Sequence, residues 1–447
     1  MRAILRGALF VLLAVCQAIS GGHTSAAERR LPIVFVHGNG DTAALWITTL
    51  WRFESNGYPR ELLYAVDLHY PQARSVNDRP QAGRSSAADV MGQLSETVDS
   101  VRKKTGAERV VLVGQSRGGN TIRNYLKNGG GAKHVEAVVL CGAVNHGVII
   151  SDQHLIGSEF NGASAFMKDL NSTPDEVVPQ VRFMTIRSDN NDKFAQPDGH
   201  LIGLPNVATG LGYEAPELKG ATNVVLAGVD HRETGYGPRA FAAMYRFITG
   251  SEPGTVNIIR EGQVELVGKV SGFEAGAPTN IGITGAAVTV YRASPITGER
   301  LGSPVHRSAT GADGRWGPMR AEHDAHYEFV LEVPGYPVTH IYRSPFLRSS
   351  DILHLRPQVL GKDDAAAGAV IYLSRPRGYF GAGRDSVLLG GSLPPGIPAG
   401  VPTVSSVKRT FPADTQHSVI GKFNDEEITA RTWPMHDNHV TVIELTY

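Results

Sequence analysis

Two kinds of periodicity divide the chain. From Leu31 to about residue 249, short apolar and β-branched runs alternate with longer stretches in which apolar residues recur every three or four positions. The runs at Ile33–Val36, Leu63–Val66, 110–113, 135–140, 181–186 and 223–226 read as strands, and the stretches between them as helices. Residues 86–104 give the clearest helix, with Val90, Leu94, Val98 and Val101 on one face. Such alternation predicts an α/β fold, a mostly parallel sheet covered by helices on both faces. Residues 148–179 interrupt it, and their Gly, Ser and Asn content predicts a lid over the sheet and not another repeat unit.

Beyond Gly250-Ser251-Glu252-Pro253-Gly254 the pattern changes to period-two strands separated by Gly and Pro, with hardly any helical signal. Strands are expected at 264–270, 287–291 and 327–332, with a turn over 310–316. These observations predict a small β-sandwich over 256–360 and a second β-rich portion over 369–447, separated by the polar stretch 361–366. Whether the two are one module or two is open, and no repeat of fixed period is present.

A length of 447 residues exceeds what one ordinary core organises, in keeping with a catalytic-sized domain over 28–252 followed by the β-rich region. Lys plus Arg and Asp plus Glu number 43 each, so no net field draws the chain to nucleic acid or to an anionic membrane, and a polyanionic substrate is not expected. At the N-terminus, Arg2 and Arg6 precede an apolar run over 8–18 and small residues ending at Ser25-Ala26-Ala27, the layout of a secretory signal peptide over 1–27. The run is too short to span a bilayer. Cys16 follows a branched Val15 where a lipoprotein signal carries a small residue, so lipid anchoring is not expected. Export to the periplasm or medium leaves Cys141 as the sole cysteine, which rules out an intrachain disulfide and leaves stability to packing.

The chemistry centres on Gly114-Gln115-Ser116-Arg117-Gly118. In a chain with 51 glycines a lone G-x-S-x-G is close to a chance event, so context has to carry it. Here it follows the 110–113 strand directly and runs into a helix-like segment, the strand-turn-helix of a nucleophile elbow. The two glycines allow a sharp turn with closely approaching backbone, and Ser116 then stands at a helix N-terminus. A serine needs a base and an oriented acid, which this arrangement places later in the chain in the order Ser, acid, His. His231, just past the last predicted strand in Gly228-Val229-Asp230-His231, is the expected base. Asp189 and Asp192 both follow the 181–186 strand. Asp192 is preferred because of its spacing to Pro197, with Asp189 as the alternative acid. Asp230 is expected to serve only solvation or a local turn. The oxyanion donors are expected to be the backbone amides of Asn39, in the His37–Asp41 loop, and Arg117. His37 is expected to shape that loop without moving protons.

Val34-Phe35-Val36-His37-Gly38, the Ser116 elbow and Gly228-Val229-Asp230-His231 together resemble the three landmarks of bacterial secreted lipases and esterases of the α/β-hydrolase superfamily, and Phe166-Met167-Lys168-Asp169-Leu170-Asn171 resembles part of their lid region. The resemblance covers about half of the chain. It implies hydrolysis of esters through an acyl-enzyme on Ser116, without metal or organic cofactor. Gln115 stands where many lipases carry His, and Arg117 replaces the usual apolar neighbour. The region from about Val256 is similar in outline to the β-rich C-terminal part of an archaeal secreted lipase, and its Gly268-Lys269-Val270 and 311–316 stretches resemble transthyretin-like modules. Two other readings fit the same residues: an extracellular polyester depolymerase of polyhydroxyalkanoate type, its β-rich tail contacting a lipid or polymer surface, and a non-catalytic lipid- or polymer-binding protein on a hydrolase scaffold.

Overall fold

Alternate side chains of β1 (Ile33–Val36) enter different cores, Ile33 and Phe35 on one face and Val34 and Val36 on the other. That is why the run is apolar without interruption: both faces of the sheet are covered. In the computed structural model, which describes residues 30–447, β1 lies beside β2 (Leu63–Val66) and β3 (Val110–Gln115) in a six-stranded sheet of order β2-β1-β3-β4-β5-β6. The others are β4 (Val135–Cys141), β5 (Arg182–Ser188) and β6 (Thr222–Leu226), and all pairings are parallel. The expected signal peptide over 1–27, Cys16 included, lies outside the described residues.

Helices α1 (Ile47–Ser55), α2 (Ala87–Thr105) and α3 (Arg117–Lys127) follow β1, β2 and β3. α2 starts where Ser86 accepts from the Asp89 amide at 3.1 Å while the Asp89 carboxylate accepts from the Ser86 amide at 2.8 Å, a reciprocal cap. Its Val90, Leu94, Val98 and Val101 are buried, contributing about 1.5–3 kcal/mol each. The 148–179 stretch holds only the short α4 (Ala165–Leu170), whereas α5 (Glu233–Tyr236) and α6 (Pro238–Thr249) close the α/β part after β6.

Fourteen further strands follow: β7 (Val264–Glu274), β8 (Ala277–Gly282), β9 (Ala287–Ala293), β10 (His306–Ala309), β11 (Arg315–Ala321), β12 (His326–Glu332), β13 (Val338–Arg343), β14 (Ser350–Leu355), β15 (Ala369–Ser374), β16 (Val387–Leu389), β17 (Ser406–Phe411), β18 (Ser418–Phe423), β19 (Glu426–Arg431) and β20 (His439–Glu444). One seven-stranded sheet, β10-β9-β12-β13-β20-β15-β17, draws on both the 256–360 and 369–447 stretches, joined where β13 and β20 pair in parallel. Successive residues of these two strands serve different cores. Ile341 and Val442 face the core shared with the β11-β7-β14 sheet, and Tyr342 and Ile443 face the core shared with β16-β18-β19. The β-rich region is thus three layers around one central sheet.

This region is fused to the α/β part. Ile47 and Trp51 of α1 are buried in the same core as Leu266, Phe329 and Leu353, and the Trp51 indole donates to the Ser349 carbonyl at 2.8 Å. Residues Leu31–Tyr447 accordingly make up one unit.

Candidate active site

Ser116 joins β3 to α3 with φ 53° and ψ −124°, a region that side-chain-bearing residues occupy at a cost of about 1–3 kcal/mol. Its neighbours hold it there. The Ser116 amide donates to the Cys141 carbonyl at 2.9 Å. A Cβ on Gly118 would lie 2.4 Å from the Val36 carbonyl oxygen and 2.7 Å from that of His37, so the elbow fits against the loop after β1 only because this position is glycine. Cys141 is buried beneath the elbow, and burial raises its thiol pKa far above the ordinary value, which leaves it inert.

Beyond β5 and β6 the chain brings His231 and Asp192 together. His231 Nδ1 is 2.9 Å from Asp192 Oδ2, and both side chains are 2% exposed. The other Asp192 oxygen accepts from the Phe194 amide at 2.9 Å, and the Phe194 ring meets the imidazole edge-on with centroids 4.7 Å apart. Asp189 takes a different post: it accepts from Ser188, Asn191 and the Gly228 amide, bracing the loop that leads to His231 without touching the imidazole. His231 Nε2 is buried with no hydrogen-bond partner among the described residues, while Ser116 and His231 line the same cavity. Gln115, at the position where the sequence departs from many lipases, donates through Nε2 to the His231 carbonyl at 3.2 Å.

Asn39 also lines the cavity, its side chain turned away to accept from the Ala73 amide at 2.7 Å. The backbone amides of Asn39 and Arg117 have no hydrogen-bond partner among the described residues. All five donor positions of the Arg117 guanidinium are used elsewhere. Nε and Nη2 bind Glu159 at 2.6 and 2.9 Å, and the remaining bonds go to the Pro71 carbonyl and to Ser85. The side chain therefore ties the elbow to the 148–179 stretch, leaving only its amide for the site. Burial pushes the His37 pKa below its ordinary value, and Nε2 accepts from the Leu68 amide at 3.1 Å, so this ring is a neutral strut for the loop.

The cavity measures about 370 Å³ and its walls are mostly apolar: Val144, Val148, Leu155, Phe160, Phe194, Leu201 and Ile202. Val148, Leu155 and Phe160 come from the expected lid. Leu201 and Ile202 come from the β5–β6 connection, and Tyr379 from the far end of the chain, contributions without a local sequence signal. Arg232 stacks on Tyr379 and pairs with Asp41, and Lys193 also stands over the Tyr379 ring. Burial, followed by the Arg232 charge, pushes the Lys193 pKa down to about 8.

Asp230 corrects one expectation. It is fully buried, not solvated. Oδ1 accepts from the Arg232 and Glu233 amides at 2.8 and 2.9 Å, the expected local turn, but Oδ2 accepts from Arg375 at 2.8 Å and from the Tyr379 amide at 2.8 Å. Nothing near Asp230 in sequence signals those partners, since they lie about 145 residues downstream.

A parallel sheet of this order with a strained serine elbow defines an α/β-hydrolase. Residues 30–198 match the family model described as Lipase (class 2), and residues 262–360 match that described as Lipase C-terminal domain. The chain thus carries a segment similar to class 2 lipases and, after it, one similar to the lipase C-terminal domain, and these matches support a lipolytic, ester-hydrolysing role. Among solved structures it is similar to the mature form of the Bacillus licheniformis lipase BlEst2, with 20% identity over 49% of this chain and 92% of that one and a TM-score of 0.38. It is also similar to a Paleococcus ferrophilus monoacylglycerol lipase, with 15% identity over 49% of this chain and 96% of that one and a TM-score of 0.33.

Proposed function

We propose that the chain is an exported serine carboxylic-ester hydrolase with Ser116 as nucleophile, His231 as general base and acid, and Asp192 as the acid that orients it. The observation that carries this reading is the free, buried Nε2 of His231. It shares a cavity with Ser116, and Asp192 fixes the other ring nitrogen at 2.9 Å. In the proposed cycle Ser116 Oγ attacks the ester carbonyl as His231 Nε2 takes its proton, and the amides of Asn39 and Arg117 stabilise the oxyanion. The protonated imidazole returns the proton to the leaving alcohol, and water then releases the acid by the same route. Apolar walls and an apolar rim, with Leu155 43% and the adjacent Ile156 64% exposed, favour esters of apolar acyl chains.

Ser116→Ala should abolish p-nitrophenyl ester turnover and fluorophosphonate labelling while leaving the circular dichroism spectrum unchanged. Persistent turnover in that variant would overturn the assignment. Among the alternatives, a depolymerase with a detachable surface-binding tail finds no support in a β-rich region that shares a core with α1 and contributes Tyr379 to the cavity.

A further inference from the structure

The hydrolase reading leaves unexplained why a buried cluster of charges joins the C-terminal region to the backbone on either side of His231. We propose that Arg375 and Arg384 form a positioning clamp for the His231 loop, so that the distant C-terminal segment acts on the reaction by aiming the imidazole. The proposal rests on the assignment of His231 as the base.

Arg375 is 3% exposed and uses every donor of its guanidinium. Nη1 binds Asp230 at 2.8 Å and the Tyr379 carbonyl at 2.7 Å, Nη2 binds Glu233 at 2.6 Å and the Tyr236 hydroxyl at 2.7 Å, and Nε binds the Tyr447 carbonyl at 3.0 Å. Arg384 reinforces it through Glu233 at 2.6 Å and Asp230 at 3.4 Å. Asp230 immediately precedes His231 and Glu233 lies two residues beyond it, so the two carboxylates straddle the base. They are linked to each other as well, through the Asp230 amide and Glu233 Oε2 at 2.7 Å. From the opposite side the His231 carbonyl accepts from Thr234 at 2.7 Å and from Gln115 at 3.2 Å.

Docking alone does not require these charges. Ile47 and Trp51 already sit in the β-rich core, and burying an ion pair costs as much desolvation as it returns in attraction, so apolar residues would join the two parts at least as well. What a fully bonded guanidinium adds is direction, because its planar fork accepts carboxylates in few orientations. Asp192 fixes the ring through Nδ1, so the aim of the unpartnered Nε2 depends on where the backbone holds the imidazole against that carboxylate, and a displacement of about 1 Å there can cost on the order of 100-fold in rate.

The test compares Arg375→Met, Arg375→Lys and Arg384→Gln with Arg348→Met. Arg348 makes an ion pair with Glu54 at 2.8 Å between the same two parts of the chain but away from the His231 loop. Arg375→Met should lower kcat by about 100-fold with KM within about twofold of the parent. Arg375→Lys, which keeps the charge and three donors, should recover about tenfold of that loss, and Arg348→Met should lower thermal stability while leaving kcat intact. Should Arg375→Met fail to fold, Arg384→Gln decides: at 21% exposure it tolerates substitution, and about a tenfold fall in kcat at unchanged KM is expected. A folded Arg375→Met or Arg384→Gln enzyme with parental kcat, or a loss confined to KM, overturns the clamp. Fluorophosphonate labelling of the parent separates the two ideas. A labelled parent with unslowed labelling in the folded variants sinks the clamp alone, whereas a parent that neither takes the label nor turns over ester sinks the hydrolase reading and the clamp with it.

Discussion

Replacing Asp192 by Asn exchanges one carboxylate oxygen for an NH2 group, which removes the negative charge and turns an acceptor into a donor at nearly the same shape. The introduced amide would keep its oxygen on the Phe194 N–H, which now lies 2.9 Å from Asp192 Oδ1, and would direct its NH2 group at His231 Nδ1, 2.9 Å from the present Oδ2. Two N–H donors cannot face each other at that distance, so the imidazole must move its proton to Nε2. No hydrogen-bond partner among the described residues holds Nε2 unprotonated, and the ring in this tautomer cannot accept the Ser116 proton. The same change in Ser-His-Asp proteases lowers the rate by about 10⁴, and four decades correspond to about 5.4 kcal/mol of transition-state stabilisation. Asp189→Asn is the internal control. Its Oδ1 can still accept from Ser188 and Asn191, and only the bond from the Gly228 amide, at 3.0 Å, is lost. That loss should cost about 1–3 kcal/mol of stability and less than about tenfold in kcat/KM, since one misplaced hydrogen bond two steps from the base moves the imidazole little. Steady-state hydrolysis of a p-nitrophenyl ester, with thermal unfolding to check integrity, measures both variants. A larger activity loss at Asp189 than at Asp192, or a folded Asp192→Asn enzyme within about tenfold of the parent, would refute the reasoning.

Two stability predictions follow from the buried charges. Glu159→Ala strands the Arg117 guanidinium, which is 1% exposed, and should lower the unfolding free energy in urea by about 3–5 kcal/mol; a loss below about 1 kcal/mol would mean that water or a shifted side chain replaces the carboxylate. Burial opposes ionisation of Asp67, but His354, the Lys269 ammonium at 2.7 Å and the Ala43 amide at 2.8 Å outweigh it and hold the carboxyl down to about 2. Because the folded value lies below the unfolded one, the group stabilises fully above its ordinary range near pH 4 and loses that contribution, about 2 kcal/mol, as pH falls through 2. Urea denaturation between about pH 5 and pH 2 should therefore be flatter in Asp67→Asn than in the parent, and parallel curves would contradict the assignment.

The features legible in the sequence are those with local causes. Alternating apolar runs and helical faces follow from the periods of strand and helix, so the six parallel strands and α2 lie within a residue or two of their expected positions. The elbow at Ser116 is legible because its turn brings backbone so close that a Cβ on Gly114 would lie 2.8 Å from the Gly118 carbonyl and one on Gly118 2.4 Å from the Val36 carbonyl oxygen. The preference for Asp192 over Asp189 draws on the spacing to Pro197, but periodicity cannot separate two carboxylates in one loop. Side-chain direction does: Asp192 turns toward the imidazole and Asp189 toward the Gly228 amide.

Other assignments depend wholly on surfaces that meet late in folding. A polar linker divides the β-rich stretches in sequence and leaves open whether they are one module or two; parallel pairing of β13 with β20, about 100 residues apart, makes them share one sheet. In sequence, Arg117 is an odd neighbour for the serine and Asp230 a local turn; their roles come from Glu159 and Arg375, brought up by other parts of the fold. For this protein the sequence alone determined the α/β architecture and the candidate nucleophile and base, because steric limits and periodicity act over a few residues. Tertiary structure decided which carboxylate meets the His231 imidazole, which side chains wall the cavity and how the C-terminal region attaches to the His231 loop, because a charged group's partner is whichever opposite charge the packed surfaces bring within about 3 Å of it.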